Sequence, residues 1–133
     1  MDETGDNSSV LLVARCMVAG VFLWSGISRI GGYDETGILM DERGLVGQLV
    51  PVAVAVEIAG GLLLIAGFKL RYTTLGLGCF SVMTALLFHA NFIDRGQMFH
   101  FLKNFAIVGG LLGLYVAGAG RLSFDGLNEA TDQ

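Results

Sequence analysis

The chain alternates four long apolar runs with short polar connections. The runs cover residues 9–30, 45–68, 72–93 and 98–120, and polar tails cover 1–8 and 121–133. Each run is about 20 residues, enough at 1.5 Å per residue to cross a hydrocarbon core of about 30 Å. Short connections force consecutive helices to run in opposite directions. The pattern predicts an all-α, membrane-embedded antiparallel four-helix bundle, a single domain over residues 1–133. The first connection, residues 31–44, is the longest. It carries Tyr33, Asp34, Glu35, Asp41, Glu42 and Arg43 and has room for a short amphipathic piece. The connection around Lys69–Arg71 is minimal, and Asp94–Gln97 reads as a polar turn. The last tail is expected to fray after Asp125.

Within this pattern one residue is out of place. Asp2, Glu3, Asp6, Asp34, Glu35, Asp41, Glu42, Asp94, Asp125, Glu129 and Asp132 all lie outside the apolar runs, whereas Glu57 sits in the middle of the second. An acid at mid-depth costs about 2.5–3.5 kcal/mol on insertion scales, so a lone centred one points to function and to a partner.

Helical spacing then gives the inward faces. In the first run Arg15, Ala19, Phe22, Gly26 and Arg29 share a stripe; in the second, Ala53, Glu57, Gly60, Leu64 and Gly67. In the third, Arg71, Thr74, Gly78, Ser81, Ala85 and His89 do so; in the fourth, Lys103, Ala106, Gly110, Gly113 and Ala117. Small residues at this spacing let backbones approach, and polar groups on the same stripes are expected to face the interior. Glu57 then lies near the midplane. Arg15 falls about 7 Å away on the side of the N-terminus, within reach of a long side chain. His89 and Lys103 fall about 10 Å away on the opposite side, with Asn91 and Asn104 nearby.

Composition agrees with the membrane reading. Hydrophobic residues make up 53% of the chain, charged residues 15%, and mean hydropathy is +0.66. A soluble bundle is disfavoured, because helices apolar on all sides leave too little polar surface to cover them. The acidic flank, the long apolar core and the lack of a small-x-small site argue against a cleavable signal peptide. The net charge of −4 argues against nucleic acid as a partner. Lys69 and Arg71 occupy the one connection with basic residues and no acid, which places it and both termini in the cytoplasm. Cys16 and Cys79 form no C-x-x-C motif, and His89 and His100 lie in different contexts without metal-ligand spacing. No metal, haem or nucleotide is therefore expected.

Three uses of the polar interior stay open. Arg15–Glu57 is a structural pair fixing helix register, or Glu57 gates an ion or solute path. In the third, His89 and Lys103 donate to the carbonyl oxygens of a quinone while Phe88, Phe92, Phe99 and Phe101 line its slot. Glu57, supported by Arg15, then carries protons.

Five segments carry a resemblance: LLVARCMVAGVFLWSGISRI from Leu11, VEIAGGLLLIAGFKLR from Val56, TALLFHAN from Thr84, FLKNFAIVGG from Phe101 and GAGRLSFD from Gly118. In their order and spacing the chain resembles the DoxX family of small four-span bacterial and archaeal membrane proteins. By position the family pattern marks Arg15, Glu57, Gly60, Gly61, Arg71, His89, Lys103, Asn104, Arg121 and Asp125. Arg29 stands where the family usually has lysine, and Ala119 where proline is common. The resemblance implies a location in the cytoplasmic (inner) membrane and a link to quinone-coupled redox complexes. In that reading Glu57 and Arg15 are the proton-handling candidates, and His89, Lys103, Asn104 and Arg29 the quinone-binding ones. It also implies partners, either another membrane subunit or a soluble redox enzyme for which the bundle is a non-catalytic anchor; pairing with a second copy, a homo-oligomer, stays open beside these.

Overall fold

Helix ends in this chain are set by a few capping residues. In the computed structural model, which describes residues 3–44 and 47–132, six α-helices and one 3₁₀ turn account for the described architecture, without strands. They are α1 (Glu3–Gly31), α2 (Tyr33–Glu42), the 3₁₀ turn Gly47–Leu49, α3 (Val50–Ala66), α4 (Leu70–Phe88), α5 (Arg95–Ala117) and α6 (Phe124–Thr131). Leu45, where the second span was expected to begin, lies outside the described residues.

Three helices are long and apolar enough to cross a membrane by themselves: Asn7–Gly31, Leu70–Phe88 and Arg95–Ala117. The 17 residues of α3 are a shorter apolar helix, about 25 Å long. Pro51 sits in its first turn, where a missing N–H costs nothing. Gly67 ends it at φ 65°, a left-handed conformation that glycine adopts freely. The Gly67 N–H bonds to Leu63 O at 2.9 Å and Leu64 O at 3.1 Å.

Several expected boundaries move: α1 begins at Glu3, inside the tail expected to be polar, and α5 runs Arg95–Ala117 where 98–120 was expected; two further shifts have local reasons. α4 ends at Phe88, not near residue 93, because the next polar side chains bond to their own backbone. Asn91 Oδ1 accepts from Ile93 N at 3.3 Å, and Asp94 Oδ1 accepts from Gly96 N at 2.8 Å and Gln97 N at 3.3 Å. Asp94 is thus the N-cap of α5, and Asp94–Gln97 is a helix start as well as a turn. The tail expected to fray is helical as well. Ser123 caps α6, its Oγ accepting from Gly126 N at 3.0 Å. The first connection does hold a short helix, α2.

Packing makes α1 and α3 one intimate pair and α4 and α5 another, with α3–α4 and α1–α5 closing the ring. A Cβ added at Gly26 would lie 2.8 Å from Ile58 Cγ1 and 3.3 Å from Glu57 Cβ, so α1 and α3 meet there and Gly26 is level with Glu57. One core cluster, Ala19, Phe22, Leu64, Leu70, Leu77, Leu111, Leu114 and Ala119, fills the half nearer the termini. A smaller one, Met40, Val50 and Ala53, joins α2 to the start of α3.

The expected faces hold for α1 and α3. Arg15, Ala19, Phe22 and Gly26 are buried and Arg29 is half-buried; Ala53, Glu57, Gly60, Leu64 and Gly67 are all buried. On α4 Thr74, Ser81 and Ala85 are buried, but Arg71 is exposed, its guanidinium 5.8 Å from the Tyr115 ring centroid. The stripe expected on α5 is wrong. Lys103, Ala106, Gly110, Gly113 and Ala117 are exposed, while Leu111 and Leu114 are buried and Ile107 half-buried. On a helix apolar all round, bulky side chains gain more dispersion contact inside than small ones, and they take the inner face.

Candidate functional site

Glu57 is 3% exposed, about seven residues into α3, and α1 supplies its partners. Arg29 Nη1 lies 2.7 Å from Glu57 Oε1, and Ser25 Oγ donates to the same oxygen at 3.0 Å. Ser25 and Arg29 are four apart on α1, hence on one face, and they flank Gly26, which is level with Glu57. The other oxygen, Glu57 Oε2, is buried and has no hydrogen-bond partner among the described residues.

Arg15 is therefore not the partner of Glu57, contrary to expectation. It is fully buried at the far end of α3, where its guanidinium donates to Ile65 O at 3.0 Å, Leu64 O at 3.4 Å and Leu122 O at 2.5 Å. The last carbonyls of a helix have no partner within it, and their dipole attracts a cation. Asp125 completes this end. Its carboxylate accepts from Lys69 N at 2.7 Å and Leu70 N at 2.8 Å, satisfying the first N–H groups of α4 and holding Lys69 at φ 44°. Its own N–H bonds to Gly67 O at 3.1 Å, and Arg121 N bonds to the buried Ser8 Oγ at 3.0 Å. The Arg15, Gly67, Ser123 and Asp125 positions thus form a structural lock away from Glu57.

A cavity of about 750 Å³ opens on the Glu57 side of the bundle. Its walls come from α1 to α5, and five of the six sequence-derived candidates line it: Glu57, Arg29, His89, Lys103 and Asn104. Phe22, Phe80, Phe88, Leu87 and Ile107 give it an apolar wall. Phe92, Phe99 and Phe101, expected in such a slot, do not line it. Trp24, Val52 and Met83 line it while more than half exposed, so it is open at the flank of the bundle. An apolar groove of about 520 Å³ runs separately between α4 and α5, from Thr74 to Leu112, with no charged residue in its lining.

Two residues outside the expected site belong to the cavity: His100, weighed only as a metal ligand, and Ser25, not considered. His100 stacks on His89, ring centroids 5.1 Å apart, and its Nδ1 lies 3.3 Å from Lys103 Nζ. An ammonium only donates, so Nδ1 accepts and the ring proton sits on Nε2. His89, just past the end of α4, is held below the usual histidine range, first by burial, then by His100, Lys103, Arg43 and Arg29. Arg43 donates to Leu87 O at 2.9 Å and so caps α4 as Arg15 caps α3. The signal for His100 was readable: it stands three residues before Lys103 on one helix face, across a short connection from His89. Ser25 was signalled by its spacing from Arg29. No group of three or more metal-ligating side chains occurs among the described residues.

The DoxX family profile matches residues 10–90. The inner membrane protein YqjF of Escherichia coli K12 is 38% identical over 117 residues, covering 88% of this chain and 90% of that protein. The inner membrane protein YphA of the same organism is 28% identical over 123 residues, covering 87% and 88%. No solved structure matches the chain.

Proposed function

This chain belongs to the DoxX family of membrane proteins, and from that premise we propose that it is an inner-membrane subunit of a quinone-linked redox system that binds quinone in the cavity beside Glu57. The observation that carries the proposal is the convergence of Glu57, Arg29, His89, His100, Lys103 and Asn104 on one apolar cavity open at the flank of the bundle. The residues fit such a ligand. Its oxygens need donors, and Lys103 Nζ, His100 Nε2 and the Asn104 amide are donors. Its ring and tail need an apolar wall, which Phe80, Phe88 and Ile107 supply, and a route from the lipid. A bound quinone would supply a two-electron, two-proton couple. This chain has no haem, iron–sulfur or dithiol motif to carry electrons itself.

On the protein side, Glu57 Oε2 is the buried acceptor placed to hold a proton, and Arg29 and Ser25 orient the carboxylate. Arg15 takes no part in this reading. In this reading the α3–α4 turn and both termini are cytoplasmic, which the basic Lys69 and Arg71 support; reporter fusions at each terminus test it.

The test is native mass spectrometry of the protein extracted gently from its own membranes. A bound quinone, lost in Lys103→Ala and in His89→Ala, is the expected result. A co-purifying soluble enzyme with no quinone would make the bundle an anchor and sink the proposal.

A further inference from the structure

A second concave surface lies between α4 and α5. This groove of about 520 Å³ runs from Thr74 to Leu86 along α4 and from Val108 to Leu112 along α5. Its length on α4 is about 18 Å, close to one leaflet of a hydrocarbon core of about 30 Å. Leu75, Leu86 and Leu112 stand about half exposed along it, so it opens on the lipid-facing flank. Gly78 makes the room, since a Cβ added there would meet nothing within 4 Å. The one hydroxyl in the lining, on Thr74, is spent on Leu70 O at 2.9 Å and Arg71 O at 3.0 Å.

One end of the groove is polar. Arg71, one turn before Thr74, meets Tyr115, one turn beyond Leu111 and Leu112, with the guanidinium 5.8 Å from the ring centroid. Both lie about 5 Å past the end of the groove. Arg71 is exposed, and no carboxylate pairs with it among the described residues. Asp125, the acid at this end, is spent on Lys69 N and Leu70 N.

We propose that this groove binds one anionic phospholipid, with its phosphate on Arg71 at the level of the α3–α4 turn and one acyl chain lying over Gly78. A tyrosine and an arginine at the end of an apolar slot one leaflet long are placed at headgroup depth. A chain one carbon wide fits where a helix does not. A helix about 10 Å across would ride on Leu75, Leu86 and Leu112 and leave the floor at Gly78 empty. It would also cover Arg71 without bringing it an anion. The site is separate from the cavity beside Glu57 and does not depend on what fills that cavity.

The experiment is native mass spectrometry of the full chain, delipidated in mild detergent and titrated with dioleoyl phosphatidylglycerol or dioleoyl phosphatidylcholine. The expected result is one saturable lipid per chain, with phosphatidylglycerol favoured about fivefold. Gly78→Leu fills the floor and removes the adduct of both lipids. Arg71→Gln equalises the two lipids and keeps the adduct. Both positions lie outside the buried core, and leucine suits a helix better than glycine, so both variants should fold. Gly20→Leu, on an exposed face of α1 with nothing within 4 Å of the new Cβ, leaves the adduct unchanged. Adducts that never saturate, or that Gly78→Leu and Gly20→Leu reduce alike, mean annular lipid only and overturn the proposal. Equal affinity of the wild type for the two lipids overturns it as well, as does a dimer lost in Gly78→Leu, which would seat a second copy in the groove.

Discussion

Double-mutant cycles on Glu57 decide which arginine is its partner, and with it which end of α3 is the polar site. Arg29 lies 2.7 Å from Glu57 Oε1, with side-chain exposures of 26% and 4%. Arg29→Ala leaves a buried carboxylate with Ser25 alone. A fully buried stranded charge costs about 3–5 kcal/mol, and the partial exposure of Arg29 reduces this to roughly 2–3. In Glu57→Gln the arginine is freed to turn outward, at a cost of about 1 kcal/mol. The double variant has no stranded charge, so Arg29→Ala and Glu57→Gln should couple by about 1–2 kcal/mol. Arg15 behaves differently. Gly26 is level with Glu57, and Arg15 is eleven residues further along α1, about 16 Å on the axis. Arg15→Ala breaks bonds to three carbonyls, but its effect should add to that of Glu57→Gln within about 0.5 kcal/mol. The assay is reversible unfolding in mixed micelles with rising dodecyl sulfate, followed by helicity. Coupling of Arg15 with Glu57, together with additivity of Arg29 and Glu57, would refute the assignment.

The same unfolding assay checks the lock. A Cβ at Gly67 would collide with Arg15 Nη1 and Ser123 Cβ in a left-handed backbone, so Gly67→Ala should cost more than about 2 kcal/mol. Gly118→Ala, at φ 83° and ψ −178°, a region open almost only to glycine, has nothing within 4 Å of the new Cβ and should cost only the backbone part, about 1–3 kcal/mol. Asp125→Ala removes the acceptor of two N–H groups at the start of α4 and should cost about 1–2 kcal/mol. For His89 the sign follows from its lowered value: between the folded and ordinary values the unfolded chain binds the extra proton. Stability is therefore full above the ordinary histidine range and falls as pH drops through it, levelling off below the folded value. Melting of the wild type between pH 8 and 5 should show this loss and His89→Gln should reduce it; an unchanged pH dependence would remove His89 as its source.

Much of this architecture was legible because polar and small residues on α1 and α3 repeat at the same spacing. Arg15, Ala19, Phe22 and Gly26, like Ala53, Glu57, Gly60 and Leu64, read directly onto the buried faces. The α5 face was not legible, since a helix apolar all round carries no contrast between its sides. The partner of Arg15 was hidden for a different reason. Its acceptors are backbone carbonyls, invisible in a side-chain inventory until the end of α3 at Ala66 is known. The swap of Arg15 for Arg29 at Glu57 followed from treating every run as centred on one midplane. α3 is short and α1 long, so their middles are not level. The cluster of His89, Lys103 and Asn104 was anticipated because a tight α4–α5 connection forces neighbours. His100 was missed because it was weighed as a metal ligand and not as a neighbour of Lys103. The α6 helix carried a visible signal, Ser123 as N-cap, that the polarity of the tail obscured.

The lock at the termini has a consequence for how the chain is made. Arg15 enters the membrane among the first residues, but its partner Leu122 and its neighbour Asp125 are synthesised over a hundred residues later. Until that segment is in place, the arginine is short of an acceptor and the start of α4 is uncapped. Closure of this end of the bundle thus depends on residues 122–125, far along the chain from Arg15. A chain lacking Leu122 and Asp125 would leave Arg15 short of an acceptor and the first N–H groups of α4 uncapped.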